Sequence, residues 1–453
     1  MKCPRTKSRS LFKTYKLLSC AVIFYVGLVF GFTNDVSKYS SRSSKLGYVE
    51  STEQIDEYNA NCAVDLKSFL GQTETNAERA LRLKVPMPSR FLKTNPSELA
   101  VDFVFKWVDG SRPDHLLQKS CWRTHLKNWP NLQSPTGAYC PAIDFQQDSA
   151  RRERNNDELM FALRSIHMHV PWFRHIFIVV EGPHMIPDWL DLEYPQISLV
   201  YHADIFPEPI TDFLPTFNGH AIASVLHQIP HLSKYYIVMD DDFFFTSNVT
   251  LEHFFGVEGG EIISLKGIQV GNMILPSIDE RDCPSAHHHE ASNSNSAYML
   301  TRIREDGETS NFKGMQHAPY VSSKLLQTYL LSDIFPNETM KLRTHRFRSK
   351  ADFHVQSLAF NFAQSCQRNR LNPNLKQGQA SNLRHTFQGL NPARGANIFS
   401  QFRNLTKEYE FMCINDDMPE NVSDAFIQTW HEFLSATWPV IAPWESQSSN
   451  QVL

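Results

Sequence analysis

Tyr235-Tyr236-Ile237-Val238-Met239 runs directly into Asp240-Asp241-Asp242. Five apolar residues in a row, bounded by charge, read as a strand buried on both faces. Working outward, three more stretches share that character: Val101 to Val108 ending at Asp109-Gly110, His175 to Val180, and Ile197 to Tyr201. Between them lie helical patterns. Asn156 to His169 repeats Leu159, Leu163 and Ile166 at helical spacing, with Asp157 and Glu158 in its first turn. Phe217 to Gln228 reads as a second helix. Strands alternating with helices predict βαβ units: an α/β, Rossmann-like, mostly parallel sheet with helices on both faces, followed by a second, more helical lobe. Ligands of such sheets bind beyond the carboxyl ends of the strands. Asp109-Gly110 and the acidic triplet both fall there.

Three adjacent carboxylates repel one another, and each raises the pKa of its neighbours. A divalent cation relieves that repulsion. Side chains alternate along a strand, so at most two of the three share one site. Mg²⁺ takes one or two carboxylates and completes its shell with phosphate oxygens and water. The triplet therefore reads as a metal–diphosphate site, against a solvated acidic turn as the alternative. His317 precedes Ala318-Pro319 and opens a predicted helix from Ser322 to Leu331; it reads as a base, an anion contact or a structural histidine. Arg343, Arg346 and Arg348 read as phosphate donors or as a solvated basic face. His287-His288-His289 reads as a loop. Asn415-Asp416-Asp417, after Phe411 to Ile414, reads as a strand end or a turn.

Composition bounds the function. The chain has 453 residues, 42% hydrophobic and 20% charged, enough for a large buried core. Its formal charge is -4, without the basic excess of a nucleic-acid binder. Mean hydropathy of -0.36 excludes a polytopic membrane protein. Residues 1–16 form a basic tail with six Lys and Arg and no acid. The uncharged apolar run 17–32 reads as an uncleaved signal-anchor rather than a cleaved signal peptide. The expected topology is a single-pass type II Golgi membrane protein with a lumenal catalytic part. Residues 33–98 read as a stem, 99–446 as the catalytic unit in two lobes, and 447–453 as a tail. Cys121 and Cys140 are the nearest candidate disulfide pair, and four N-x-[ST] sequons are compatible with a secretory route.

Four ordered blocks carry a resemblance. The first is Asp102 to Gly110. The second runs from Arg152 through Asn156, Glu158, Leu163-Arg164, Pro171-Trp172, Pro187-Asp188-Trp189, His202-Ala203-Asp204 and Pro215 to Asn218, and ends at the triplet. The third is His317-Ala318-Pro319 with Arg346-Phe347-Arg348 and Asp352. The fourth is Phe411 to Asp417, ending in Trp438-Pro439 and Glu445. The chain resembles the Stealth family, which includes N-acetylglucosamine-1-phosphotransferase alpha/beta subunits and capsule polysaccharide hexose-1-phosphate transferases. The family usually has Asn-Asp-Asp where this chain has Asp240-Asp241-Asp242. The large insertions of the animal members, some tied to acceptor recognition, are absent here.

The resemblance implies transfer of a sugar-1-phosphate from a UDP-sugar to a hydroxyl of a glycan acceptor, with release of UMP. It implies His317, Arg348 and Asp242 as catalytic residues. It implies Asp241, Asp242 and Asp416 as ligands of Mg²⁺ or Mn²⁺. Trp107, Asp109, Gly110, Arg164 and Asn218 are the expected nucleotide-sugar contacts. A mannose-containing acceptor is admitted, as is a homodimer; no nucleic acid is expected. Two other readings stay open: a metal-dependent glycosyltransferase releasing a nucleoside diphosphate, and a non-catalytic membrane-anchored glycan-binding protein.

Overall fold

Backbone groups inside a parallel sheet must find partners on adjacent strands, and the apolar stretches read above do so. The computed structural model describes Arg79, Arg82, Leu83 and residues 100–127, 154–208, 210–272, 288–303, 312–365, 376–395 and 397–446. The basic tail, the apolar run 17–32, most of the 33–98 stem, Cys140, His287 and the tail after 446 lie outside these residues. In chain order the first strands are β1 (Val101–Lys106), β2 (Ile176–Val180), β3 (Ile197–Tyr201), β4 (Tyr235–Met239) and β5 (Phe243–Phe245). Next come β6 (Phe255–Glu258), β7 (Glu261–Gly267), β8 (Gln269–Asn272), β9 (Lys313–Met315) and β10 (Tyr320–Ser323). The last are β11 (Gln379–Ala380), β12 (His385–Leu390) and β13 (Phe411–Asp416). The helices used below are α1 (Pro113–Lys127), α2 (Glu158–His169), α3 (Gly219–Ala223), α4 (His288–Thr301), α5 (Val355–Gln364) and α6 (Asp424–Thr437).

The central sheet has the order β10-β4-β1-β2-β3. β1 pairs in parallel with β2 and β4, and β2 with β3. β10 closes the β4 edge antiparallel, with Tyr320 opposite Val238. Strands β2, β3 and β4 are buried along their whole length, which is why they read as unbroken apolar runs. The fold is α/β, as expected. Asp102 is the polar exception within β1. Arg174 Nε donates to its Oδ1 at 2.7 Å and Ser233 N to its Oδ2 at 2.7 Å. Burial raises this carboxyl, and Arg174 and Ser233 oppose the shift.

A second sheet, β12-β13-β5, stands beside the first. β12 and β13 run parallel; β13 meets β5 antiparallel with Cys413 opposite Phe243. β5 follows the acidic triplet directly, so the triplet is the hinge between two sheets. Packing of α2 against β5 fixes this arrangement: Ser165 Oγ accepts a hydrogen bond from Phe245 N at 3.0 Å. The α2 N-cap, Asp157, sits at φ 64, a left-handed conformation that Asp tolerates better than most residues.

Three local readings are corrected. Tyr320 to Ser323 is the edge strand β10, and the helix begins only at Lys324, capped by Ser323 Oγ at 3.4 Å from Leu326 N. Residues 217–228 give the short α3 and a 3₁₀ turn at Leu226–Gln228 rather than one helix. His288 and His289 open helix α4 and are not in a loop. Cys121 is disulfide-bonded and Cys413 is a buried free thiol.

Candidate active site

Carboxyl ends of β1, β2, β3 and β4 converge on one cavity of about 280 Å³. β1 contributes Lys106 and Trp107, β2 ends at Glu181, β3 at His202, and β4 at Asp240 and Asp241. The opposite wall is the 216–219 loop with Phe347 and Arg348, and α1 adds His115 and Lys119. Cations, carboxylates and aromatic faces therefore meet in one pocket at the place predicted for a parallel sheet.

The three aspartates are chemically unlike. Lys106 Nζ sits 2.8 Å from Asp240 Oδ1. Burial works to raise Asp240, but the Lys106 charge and hydrogen bond, with His317 and Arg348, hold it below its ordinary value. At Asp241 the Lys106 charge is the weakest influence: burial first, then the charges of Asp242 and Asp240, push it up to about 7. Asp242 rises to about 7 through burial and the Asp240 charge, although Cys413 Sγ donates to its Oδ2 at 3.3 Å. Glu158, at the start of α2, is also raised to about 7 by burial and by the charge of Asp241. Burial and the Asp242 charge hold the Cys413 thiol protonated, as a donor.

Arg348 is placed by a buried framework. Asn218 Nδ2 donates to Asp352 Oδ2 at 2.8 Å and to the Phe347 carbonyl at 3.4 Å. Asp352 also accepts from Ser349 N at 2.8 Å and meets His345 Nδ1 at 2.6 Å. Arg346 donates to the carbonyls of Asp212, Phe213 and Pro215 and lies over the Trp122 ring at 3.6 Å. Phe217 and Phe347 stack at 5.1 Å. A Cβ at Gly219 would sit 3.3 Å from Arg348 Nη2, so a side chain there would press on the guanidinium.

The expected site residues divide. Trp107, Asp241 and Arg348 line the cavity. Asp242 stands next to it, bonded to Cys413. His317 precedes β10, the strand on the far side of β4 from β1, and its charge is felt at Asp240. Asn218 supports the wall from behind. Asp109 is in a turn, its Oδ1 accepting from Ser111 N at 3.1 Å and Ser111 Oγ at 2.6 Å; neither it nor Gly110 lines the cavity. Arg164 is buried in a fork with Glu445, Nε to Oε1 at 2.8 Å and Nη2 to Oε2 at 2.7 Å, away from the cavity lining. Asp416 gives both oxygens to Arg154 Nη1, at 2.9 and 2.8 Å. Arg343 is buried against Ser224 and does not line the pocket. Among the described residues no group of three or more His, Cys, Asp or Glu is arranged to hold a metal ion.

Lys106, Lys119, His115, Glu181 and His202 were not anticipated. Glu181 and His202 end β2 and β3, so the strand-end rule, applied to every strand, finds them. Lys119 carries no such signal. Burial works to raise Glu181, but hydrogen bonds from His115 and His184 bring it down to about 2. Burial lowers His202 to about 4, leaving it neutral.

Residues 152–263, which hold α2, β2, β3, β4 and the triplet, match the family model Stealth protein CR2, conserved region 2. The chain thus carries a Stealth conserved region, in the family that its sequence resembles. It is 26% identical over 353 residues to an exopolysaccharide phosphotransferase of Mycobacterium leprae, covering 77% of this chain and 58% of the relative. A capsular polysaccharide phosphotransferase of Actinobacillus suis is 38% identical over 161 residues, 35% of this chain and 38% of the relative. An exopolysaccharide phosphotransferase of Nocardia farcinica is 25% identical, covering 84% and 68%. The chain spans about half the length of the Mycobacterium leprae relative and of a Streptomyces coelicolor exopolysaccharide phosphotransferase that it also matches. The expected Golgi type II placement is overturned: these relatives are bacterial, and among the described residues no helix is long and apolar enough to cross a membrane.

Proposed function

We propose that this chain transfers a sugar-1-phosphate from a nucleoside diphosphate sugar, a UDP-sugar, to a hydroxyl of a glycan acceptor, releasing UMP. One observation carries the reading: Lys106 and Arg348 share a cavity with Asp240 and Asp241 at the carboxyl ends of four strands. A diphosphate needs cations, and its transfer depends on positioning and charge neutralisation more than on covalent chemistry. The relatives' names, exopolysaccharide and capsular polysaccharide phosphotransferase, support the same reaction class.

The residues fit a divalent cation of the Mg²⁺ or Mn²⁺ kind. Asp241 and Asp242 are two neighbouring carboxylates whose repulsion a cation removes, while Asp240 is already matched by Lys106. Asp241 and Asp242 would hold it, and it would neutralise phosphate charge. Asp416 is left out of that set because Arg154 holds both its oxygens. Arg348 grips the diphosphate with a planar fork, and Lys106 and Lys119 add charge. Trp107 offers an aromatic face to the nucleotide. The acceptor oxygen attacks the phosphorus next to the sugar, its proton passes to His317, and the bond from that phosphorus to UMP breaks. The sugar–oxygen bond is not touched, so the anomeric configuration is retained.

The experiment is a donor screen with purified protein, Mg²⁺ or Mn²⁺, and a glycan acceptor, reading the nucleotide product. UMP with a new phosphodiester is expected. UDP would mean a glycosyltransferase, and no nucleotide release with any donor would mean a binding protein.

A further inference from the structure

The cavity accounts for a donor but leaves the acceptor unplaced. On the other flank of β4 stands an aromatic residue that no packing requirement explains. Phe387, on the edge strand β12, is 44% exposed among strands whose other phenylalanines are buried. Its ring centroid lies 5.4 Å from that of His317. In the β12–β13 register Phe387 is opposite Cys413, and paired residues share a face of the sheet. Cys413 donates its thiol to Asp242. Phe387 is thus one strand spacing from the residue that touches Asp242, and in ring contact with the histidine assigned to the acceptor's proton. Two residues along the same face comes Gly389, where a Cβ would sit 2.1 Å from Asp417 Oδ2. The missing side chain lets a carboxylate fill the space beside the exposed ring.

We propose that Phe387, with His317 against it and Asp417 beside it, is the platform on which a pyranose ring of the acceptor stacks. The C–H-rich face of a pyranose meets the electron-rich face of an aromatic ring, and its hydroxyls meet a carboxylate acceptor. This inference rests on the transferase reading above. Donor and acceptor then approach the triplet from opposite flanks of β4: the cavity on the β1–β3 side, the platform on the β10 side. Phosphoryl transfer needs the attacking and leaving oxygens roughly in line, and an acceptor held opposite the donor would meet that need.

Phe387→Ala should raise the KM for the acceptor roughly 3- to 10-fold and leave the KM for the donor as it was. Phe387→Trp should restore the acceptor KM. Because the ring is exposed, both variants should fold, which thermal melting checks. The Phe387→Trp protein also reads the platform without turnover. Methyl glycopyranosides of gluco, manno and galacto configuration are titrated against its tryptophan fluorescence, with Phe387→Trp/Asp417→Asn as the comparison. Saturable quenching by at least one of them, weakened in the double variant, is expected. An unchanged acceptor KM in Phe387→Ala, or a raised donor KM, overturns the platform. If the wild-type protein releases no UMP, the transferase reading fails instead, and the fluorescence titration alone decides the platform: quenching supports it and a flat titration overturns it.

Discussion

Asp240, Asp241 and Asp242 are consecutive and identical in chemistry, yet their environments separate them. The strand end turns Asp240 toward Lys106 on the neighbouring β1, while Asp241 and Asp242 face mainly like charge, with a thiol donating to Asp242. If Lys106 serves both Asp240 and the donor phosphates, Lys106→Met removes a cation from the cavity. Losing one charge-assisted contact costs roughly 1.5–3 kcal/mol, or about 10- to 150-fold in kcat/KM. Lys106 is partly exposed at 21%, so the variant should melt near the wild-type temperature. An unchanged kcat/KM for UMP release would remove Lys106 from the mechanism. Arg348→Lys keeps the charge and loses the fork, and should fall within the same range. Asp352→Asn tests how Arg348 is placed. It replaces the acceptor of Asn218, Ser349 and His345, so the 346–349 loop loses its anchor and the donor KM should rise several-fold with little change in kcat for acceptor-saturated turnover; equal effects on both would point to a fold defect. The triplet was legible in the sequence because a run of like charge after an apolar run needs a reason. Lys106 was not legible as its partner, because the pairing of β1 with β4 brings them together across more than a hundred residues.

At the scale of elements, arginine is where sequence and structure part. Arg343, Arg346 and Arg348 read as phosphate donors or a solvated basic face, the resemblance added Arg164 as a nucleotide-sugar contact, and of the four Arg348 alone lines the cavity. The other three tie elements together: Arg164 joins α2 to Glu445 near the chain's end, Arg343 reaches Ser224 and Arg346 threads the 212–215 carbonyls. Guanidinium forks fit carboxylates and carbonyls as well as they fit phosphate, so residue type alone does not choose. The Arg164–Glu445 pair is buried, 5% and 3% exposed. Arg164→Met leaves a buried carboxylate unmatched and should destabilise the fold by about 3–5 kcal/mol. The double change Arg164→Met/Glu445→Leu should recover most of that loss, because a buried pair is often no better than apolar packing. Urea unfolding with an unchanged m-value reads both. A double variant as unstable as the single one would show that the pair itself, not the orphaned charge, matters. The four parallel strands were legible because burial on both faces leaves an unbroken apolar run. β10 was not: its Ser322 and Ser323 face buried polar partners such as Gln327, so its pattern broke and was taken into the following helix.

Over the whole molecule, the groups buried by folding tie stability to pH. Burial, together with the charges of Arg343 and Lys324, lowers His227 to about 3. Its ordinary value is 6.5. Between those values the unfolded chain takes up a proton that the folded chain refuses. Acidification through this window therefore favours unfolding, by about 1.4 kcal/mol per pH unit for one such group. Above pH 6.5 His227 is neutral in both states and adds no pH dependence. Glu158, Asp241 and Asp242 carry the opposite sign, since carboxyls raised to about 7 bind protons in the folded chain first. A single stability curve mixes these contributions; a difference between two proteins does not. His227→Gln removes one titrating group and leaves the carboxylates in place. Between pH 7 and pH 5 the wild-type protein should therefore lose about 2 kcal/mol more stability than His227→Gln does. Urea midpoints at the two pH values measure this directly. Parallel pH dependence of the two proteins would show that His227 gains its proton in the folded state near its ordinary pKa, and that its burial is relieved by water.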